Sequence, residues 1–240
     1  MIALPDGFAL RPEAALVALV LGALALLGHL AGRPVRRWPA VLAAALGIAL
    51  FGIAVFFVQT PLQLAFYTSV SRAISPFWLG ANPWFLPLGI ALLAALCQES
   101  ARLLAILLAR RAWQRDALPR LGAIVGAAVG GFEAAMVLGA IPPAALHLAS
   151  LAVLERVGAV AFHTGSGALI GLGLGRGRAP LAFGAAVALH LVVDFLAAAL
   201  SYGIGSLFLV EAVNLVLGLG LYIATVRWAR GVPAGTALGA

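Results

Sequence analysis

Residues 84–109 read WFLPLGIALLAALCQESARLLAILLA, a run long enough to cross a bilayer that carries two charges, Glu99 and Arg102, near its middle. A water-soluble helix of this length would show a charged face; this run shows an apolar surface interrupted at one point. The same pattern recurs along the chain. Of its 240 residues, 64% are hydrophobic and only 10% charged, against about 25% charged in soluble domains. A soluble globule is excluded. No alternating ten-residue pattern suggests a β-barrel, and 28 glycines suit helices packed closely through small side chains.

Apolar stretches predict seven spans, at about 14–31, 39–58, 84–109, 120–141, 144–174, 180–201 and 204–228. The expected fold is therefore an all-α, polytopic transmembrane helix bundle forming one integral membrane domain over 1–240. The first run follows an acidic lead-in, Asp6 to Glu13, and its basic residues come after it, which reads as a retained anchor rather than a signal peptide. The segment 59–83, with Pro61, Pro76, Pro83, Trp78 and Trp84, reads as an outer loop lying in the interface, either an anchor or a lid. The Gly- and Ala-rich tail after Arg230 reads as disordered.

All fifteen cations are arginine, and their placement sets the expected orientation. Arg33, Arg36 and Arg37 follow span one, Arg110, Arg111, Arg115 and Arg120 follow span three, Arg176 and Arg178 follow span five, and Arg227 and Arg230 end span seven. Only Arg11 and Arg72 fall on the alternate side. By the positive-inside rule the N-terminus is outside and the C-terminus cytoplasmic, in the cell membrane. The net charge of +7 is thus topogenic, and nucleic acid is not an expected partner. Cys97 alone permits no internal disulfide and reads as a core residue.

Within the spans lie Glu99, Arg102, Glu133, Glu155, Arg156, His163, His190 and Asp194. Each ionisable group at the bilayer centre costs at least about 2.5–3.5 kcal/mol, so such groups must meet one another or a wet cavity. Counting 1.5 Å per residue from the basic boundaries puts Glu99, Glu133, His163 and His190 at about one depth, 16–20 Å in. Small-residue stripes share their faces: Gly122, Gly126 and Gly130 before Glu133; Glu155, Ala159, His163, Gly167, Gly171 and Gly175; and Ala182, Ala186, His190, Asp194 and Ala198. Arg102 beside Glu99, and Arg156 beside Glu155, also read as ion pairs that fix packing. His29 and His147 read as interfacial, and Glu211 and Asn214 as secondary polar contacts.

Two imidazoles and several carboxylates suit hydrolysis in two ways. A Zn2+ held by His163, His190 and Asp194 would acidify a bound water with a free glutamate as base; alternatively a buried glutamate activates water with no metal. Gly165-Ser166-Gly167 with His190 offers a weaker serine route. A transporter or channel using the same layer as a proton or ion relay, and a purely structural membrane protein, are the rival readings.

The ordered segments Glu99-Ser-Ala-Arg102, Gly130-Gly131-Phe132-Glu133, Glu155-Arg156 with His163, and His190-Leu-Val-Val-Asp194 resemble the YhfC family of intramembrane metalloproteases. That family is related to the PrsW proteases and the type II CAAX prenyl endopeptidases with their Abi-type cousins. The resemblance covers about residues 95–200. It implies an endopeptidase acting on a membrane-embedded or membrane-adjacent peptide, with Glu99 activating water. His163 and His190 would bind metal or polarise the carbonyl, Asp194 would support them, and Glu133 would match a Gly-x-Glu segment. Gln98-Glu99 stands where the CAAX and PrsW relatives pair two glutamates, which points away from prenyl substrates.

Overall fold

The computed structural model describes residues 11–30, 37–141 and 151–231. Arg33, Arg36, His147 and the expected disordered tail lie outside the described residues, as do the first residues of the fifth expected span. Among the described residues the chain is helical: α1 (Pro12–Leu30), α2 (Arg37–Ile53), α3 (Thr60–Ala73), α4 (Pro76–Ala81), α5 (Phe85–Ala109), α6 (Leu118–Gly139), α7 (Leu151–Gly175), α8 (Ala179–Ser201) and α9 (Leu207–Gly231). Seven helical stretches are long and apolar enough to cross a membrane, in the order expected.

The second stretch departs from expectation. It runs unbroken from Arg37 to Ala73, about 55 Å at helical rise, so the segment after residue 59 continues as helix to Ala73 rather than as a loop. Pro61 misled the sequence reading because a proline inside a helix removes one i→i−4 bond and crowds the preceding turn. The chain absorbs this with a π-helical turn over Ala54–Gln59, after which Pro61 occupies the first turn of α3, where its missing N–H costs little. The Thr60 hydroxyl donates to the Val55 carbonyl at 2.9 Å and helps to close the widened turn. α3 then packs on the start of α5, with Phe66 lying over Gly89 and Gln63 donating to the Ile90 carbonyl at 2.9 Å. Ser75 caps α4 through the Trp78 amide.

α7 is the central helix, packed against α6, α8 and α9, while α6 also carries α1 and α2, and α5 joins α2 to α8. The glycine stripes explain this order. Gly122 and Gly126 on α6 lie directly against the Gly167 and His163 carbonyls of α7, and Gly171 lies against Leu118, so a methyl group at any of them would meet backbone. On the other side of α7, Gly158 faces the backbone at Asn214 and Leu215 of α9. Backbones that close gain packing without needing a hydrophobic drive, which lipid does not supply. Gly177 (φ 70°) turns the chain sharply into α8, and Gly203 (φ 75°) and Gly205 (φ 88°) turn it into α9.

One expected result follows. Gly126→Ala should lower the detergent-solubilised melting midpoint, with a cost of about 1–3 kcal/mol, because its methyl must push α7 away. Gly184→Ala, on α8 with open space around it, should not. Equal melting of the two variants would contradict the α6–α7 contact.

His29, in the last turn of α1, is buried between α1 and α9, with Nε2 3.2 Å from the Thr225 hydroxyl and its ring set edge-on to Tyr222.

Candidate functional site in the helix bundle

The expected midplane residues converge. Glu99 and Arg102 face inward one turn apart on α5, Glu133 comes from α6, His163 from α7, and His190 from α8. The innermost group is dry: Glu99 is 0% and Arg102 1% exposed. Burying two charges is costly unless they are paired and otherwise hydrogen-bonded; here they are paired and share further hydrogen bonds, and Arg102 Nε alone of the guanidinium nitrogens has no hydrogen-bond partner among the described residues. Arg102 forms an ion pair with Glu99 and donates to the Ser166 hydroxyl at 2.5 Å and to His163 Nδ1. Glu99 also accepts from Ser166 at 3.2 Å and from His190 Nδ1 at 2.7 Å.

These partners fix the tautomers. A guanidinium can only donate, so His163 Nδ1 is an acceptor and its Nε2 carries the proton given to Glu133. His190 Nδ1 donates to a carboxylate, which leaves Nε2 directed toward Asp194, 3.6 Å away. That gap is longer than a direct hydrogen bond. The two imidazoles lie edge to face with centroids 5.4 Å apart, walled by Phe162 and Phe51, so their orientations are set by packing as well as by polar contacts.

Outward along α6, α7 and α8 the cluster becomes partly accessible. The Glu133, Glu155 and Asp194 side chains are 21%, 19% and 25% exposed. Arg156 pairs with Glu155 and lies 3.5 Å from Glu133, and Asn214 donates to the Glu155 carboxylate and carbonyl at 3.1 Å. Asp194 Oδ2 and Arg156 Nη1 are buried atoms with no hydrogen-bond partner among the described residues. A fully buried ionic floor thus leads up to a partly exposed rim.

All eight expected polar residues belong to this one group, directly or through a neighbour. The zinc set of His163, His190 and Asp194 is not assembled within it. Both ring nitrogens of His163 are committed, to Arg102 and Glu133, which leaves His190 Nε2 and Asp194 as a pair where a zinc site takes three protein ligands. No group of three or more His, Cys, Asp or Glu arranged for a metal occurs among the described residues. A guanidinium stands at the centre of the cluster and already balances Glu99.

Ser166, the candidate nucleophile of the serine route, instead hydrogen-bonds Arg102 and Glu99, and none of its bonds among the described residues runs to His190. Its position three residues after His163 was the available signal, since i and i+3 share a helix face. Gln59, hidden in the supposed loop, accepts from Gln98 at 3.2 Å and ties the π turn to the residue preceding Glu99. No family model matches the chain, and neither does any curated protein or solved structure.

Proposed function

We propose that the protein is an intramembrane endopeptidase of the YhfC type, hydrolysing a peptide bond in or beside the membrane by activation of water at His190. The observation that supports this best is His190 strung between a buried carboxylate and an unsatisfied one. Glu99 accepts from Nδ1 at 2.7 Å, and Nε2 faces Asp194 Oδ2 at 3.6 Å. A water about 2.8 Å from each would bridge that gap. His190 Nε2 would take its proton as the oxygen attacks the scissile carbonyl, then return it to the leaving amine as the C–N bond breaks. Asp194 would orient the water, and Arg156 Nη1, which has no hydrogen-bond partner among the described residues and stands 3.5 Å from Glu133, would donate to the developing oxyanion. Glu99, the water-activating residue by resemblance, acts in this geometry as a positioning residue that holds the His190 tautomer.

The metal route expected from the ligand types requires His163 to leave Arg102 or Glu133, and no step is assigned to it. Cleavage of a membrane peptide by the purified protein should therefore survive a zinc chelator. Loss of cleavage that zinc or cobalt restores would return the assignment to His163, His190 and Asp194. The orientation proposed from the arginine distribution, N-terminus outside and the arginine-rich end in the cytoplasm of a cell membrane, puts the rim of the site toward the outer half of the bilayer.

One observation favours a second reading. The group holds four carboxylates against two guanidiniums, Glu99, Glu133, Glu155 and Asp194 against Arg102 and Arg156, so neutrality calls for two protons. A connected chain that gains and loses protons suits an ion- or proton-coupled transporter. Dissipation of a pH gradient without peptide cleavage would select it.

A further inference from the structure

We infer that the arginine-rich end of the bundle holds a binding site for the phosphate of an anionic membrane phospholipid, separate from the midplane cluster. A half-open hollow of about 680 Å³ lies where α5 ends, α6 begins and α7 ends. Arg110, Arg111, Arg115 and Arg176 line it from three separate segments, and no carboxylate lines it.

Topogenic charge alone explains the sign of these residues but not their convergence on one concave surface. That convergence is built by the backbone: Gly175 lets the Arg115 carbonyl approach the last turn of α7, where a Cβ would stand 2.9 Å from it, and Gly177, at φ 70°, turns the chain immediately after Arg176. None of the four guanidiniums forms an ion pair or side-chain hydrogen bond among the described residues, whereas Arg102 and Arg156 in the bundle interior are both paired.

The remaining lining decides the chemistry of the ligand. Leu118, Leu174 and Trp113 add apolar wall beneath the arginines, so the hollow offers cationic groups and hydrocarbon together, as an amphiphile requires. Its volume falls in the range of small-molecule sites. Guanidinium forks bind phosphate bidentately. Arg176 directly follows α7, whose last residue, Gly175, lies twelve residues beyond His163, about 18 Å along the helix, which is where the ends of membrane spans meet lipid headgroups. Basic pockets between spans at that level are suited to anionic headgroups.

The test uses the full chain in detergent, titrated with phosphatidylglycerol, with phosphatidylcholine or with inorganic phosphate, and read by native mass spectrometry. Phosphatidylglycerol should bind at least about tenfold more tightly than phosphatidylcholine. The double variant Arg111→Gln/Arg176→Gln should lose that preference, and Arg111→Lys/Arg176→Lys, which keeps charge but not the fork, should lose part of it. Arg227→Gln, at an exposed arginine near the end of α9 outside the hollow, should keep it. Equal binding of the two lipids, equal loss in Arg227→Gln, or binding of inorganic phosphate as tight as that of the lipid would each overturn the assignment. The last result would identify a soluble anion as the ligand. Unchanged melting of the lysine variant keeps the comparison valid should the glutamine variant misfold.

Discussion

Replacing His190 by Gln is expected to slow peptide hydrolysis by about 10²- to 10⁴-fold, the range general acid–base catalysis contributes. The protein should remain folded, because a glutamine amide can still donate toward Glu99. The size of the effect follows from geometry: Glu99 holds Nδ1 at 2.7 Å, and only Nε2, facing Asp194, is left to move a proton. Asp194→Asn should cost less, since an amide oxygen can still orient a water but contributes no charge. Rates and melting midpoints measured on the same preparations separate catalysis from folding. Full activity in His190→Gln would remove His190 as the base.

Arg102→Met is expected to be the most destabilising single change in the bundle. It strands the Glu99 carboxylate, 0% exposed, and withdraws the donors that Ser166 and His163 accept from. Breaking one partner of a buried ion pair costs about 3–5 kcal/mol, a large fraction of the about 5–15 kcal/mol by which folded proteins are stable. Adding Glu99→Gln to Arg102→Met should recover much of the lost stability, because the uncompensated charge disappears with its partner. Activity should not return, since the His190 tautomer then lacks its anionic acceptor. Thermal unfolding of the two single variants and the double variant forms a closed cycle. Independent, additive losses would show that Glu99 and Arg102 are not coupled.

The convergence of Glu99, Glu133, His163 and His190 was legible because the arginine boundaries give each span a ruler, and equal distance from them means equal depth. That the glycine-bearing faces of α6 and α7 pack closely was legible from glycines four residues apart, which let backbones approach; that these two faces meet each other was not. The role of Arg102 was not. Its spacing from Glu99 announces the ion pair, but its reach to Ser166 and His163 depends on how far α5 and α7 are rotated about their axes, and one sequence carries no measure of that. The π turn was hidden for a different reason. Pro61 has the same local signature whether a helix ends before it or widens to admit it, and the choice is made by the packing of α3 on α5. The burial of His29 was not legible either, because it reflects a crossing of α1 with α9 that joins it to Thr225, 196 residues away in sequence.

The most direct measurement of the central claim, that the buried polar layer hydrolyses a peptide within the membrane, is made with the full chain in liposomes containing a set of apolar spanning peptides in water enriched in 18O. Mass spectrometry of the products should find a peptide cleaved by the native protein, with 18O from the solvent in the new C-terminal carboxylate, and no such product with His190→Gln. Intact peptides throughout, together with a pH gradient that collapses across the native liposomes but persists with His190→Gln, would contradict it and identify the layer as a proton path.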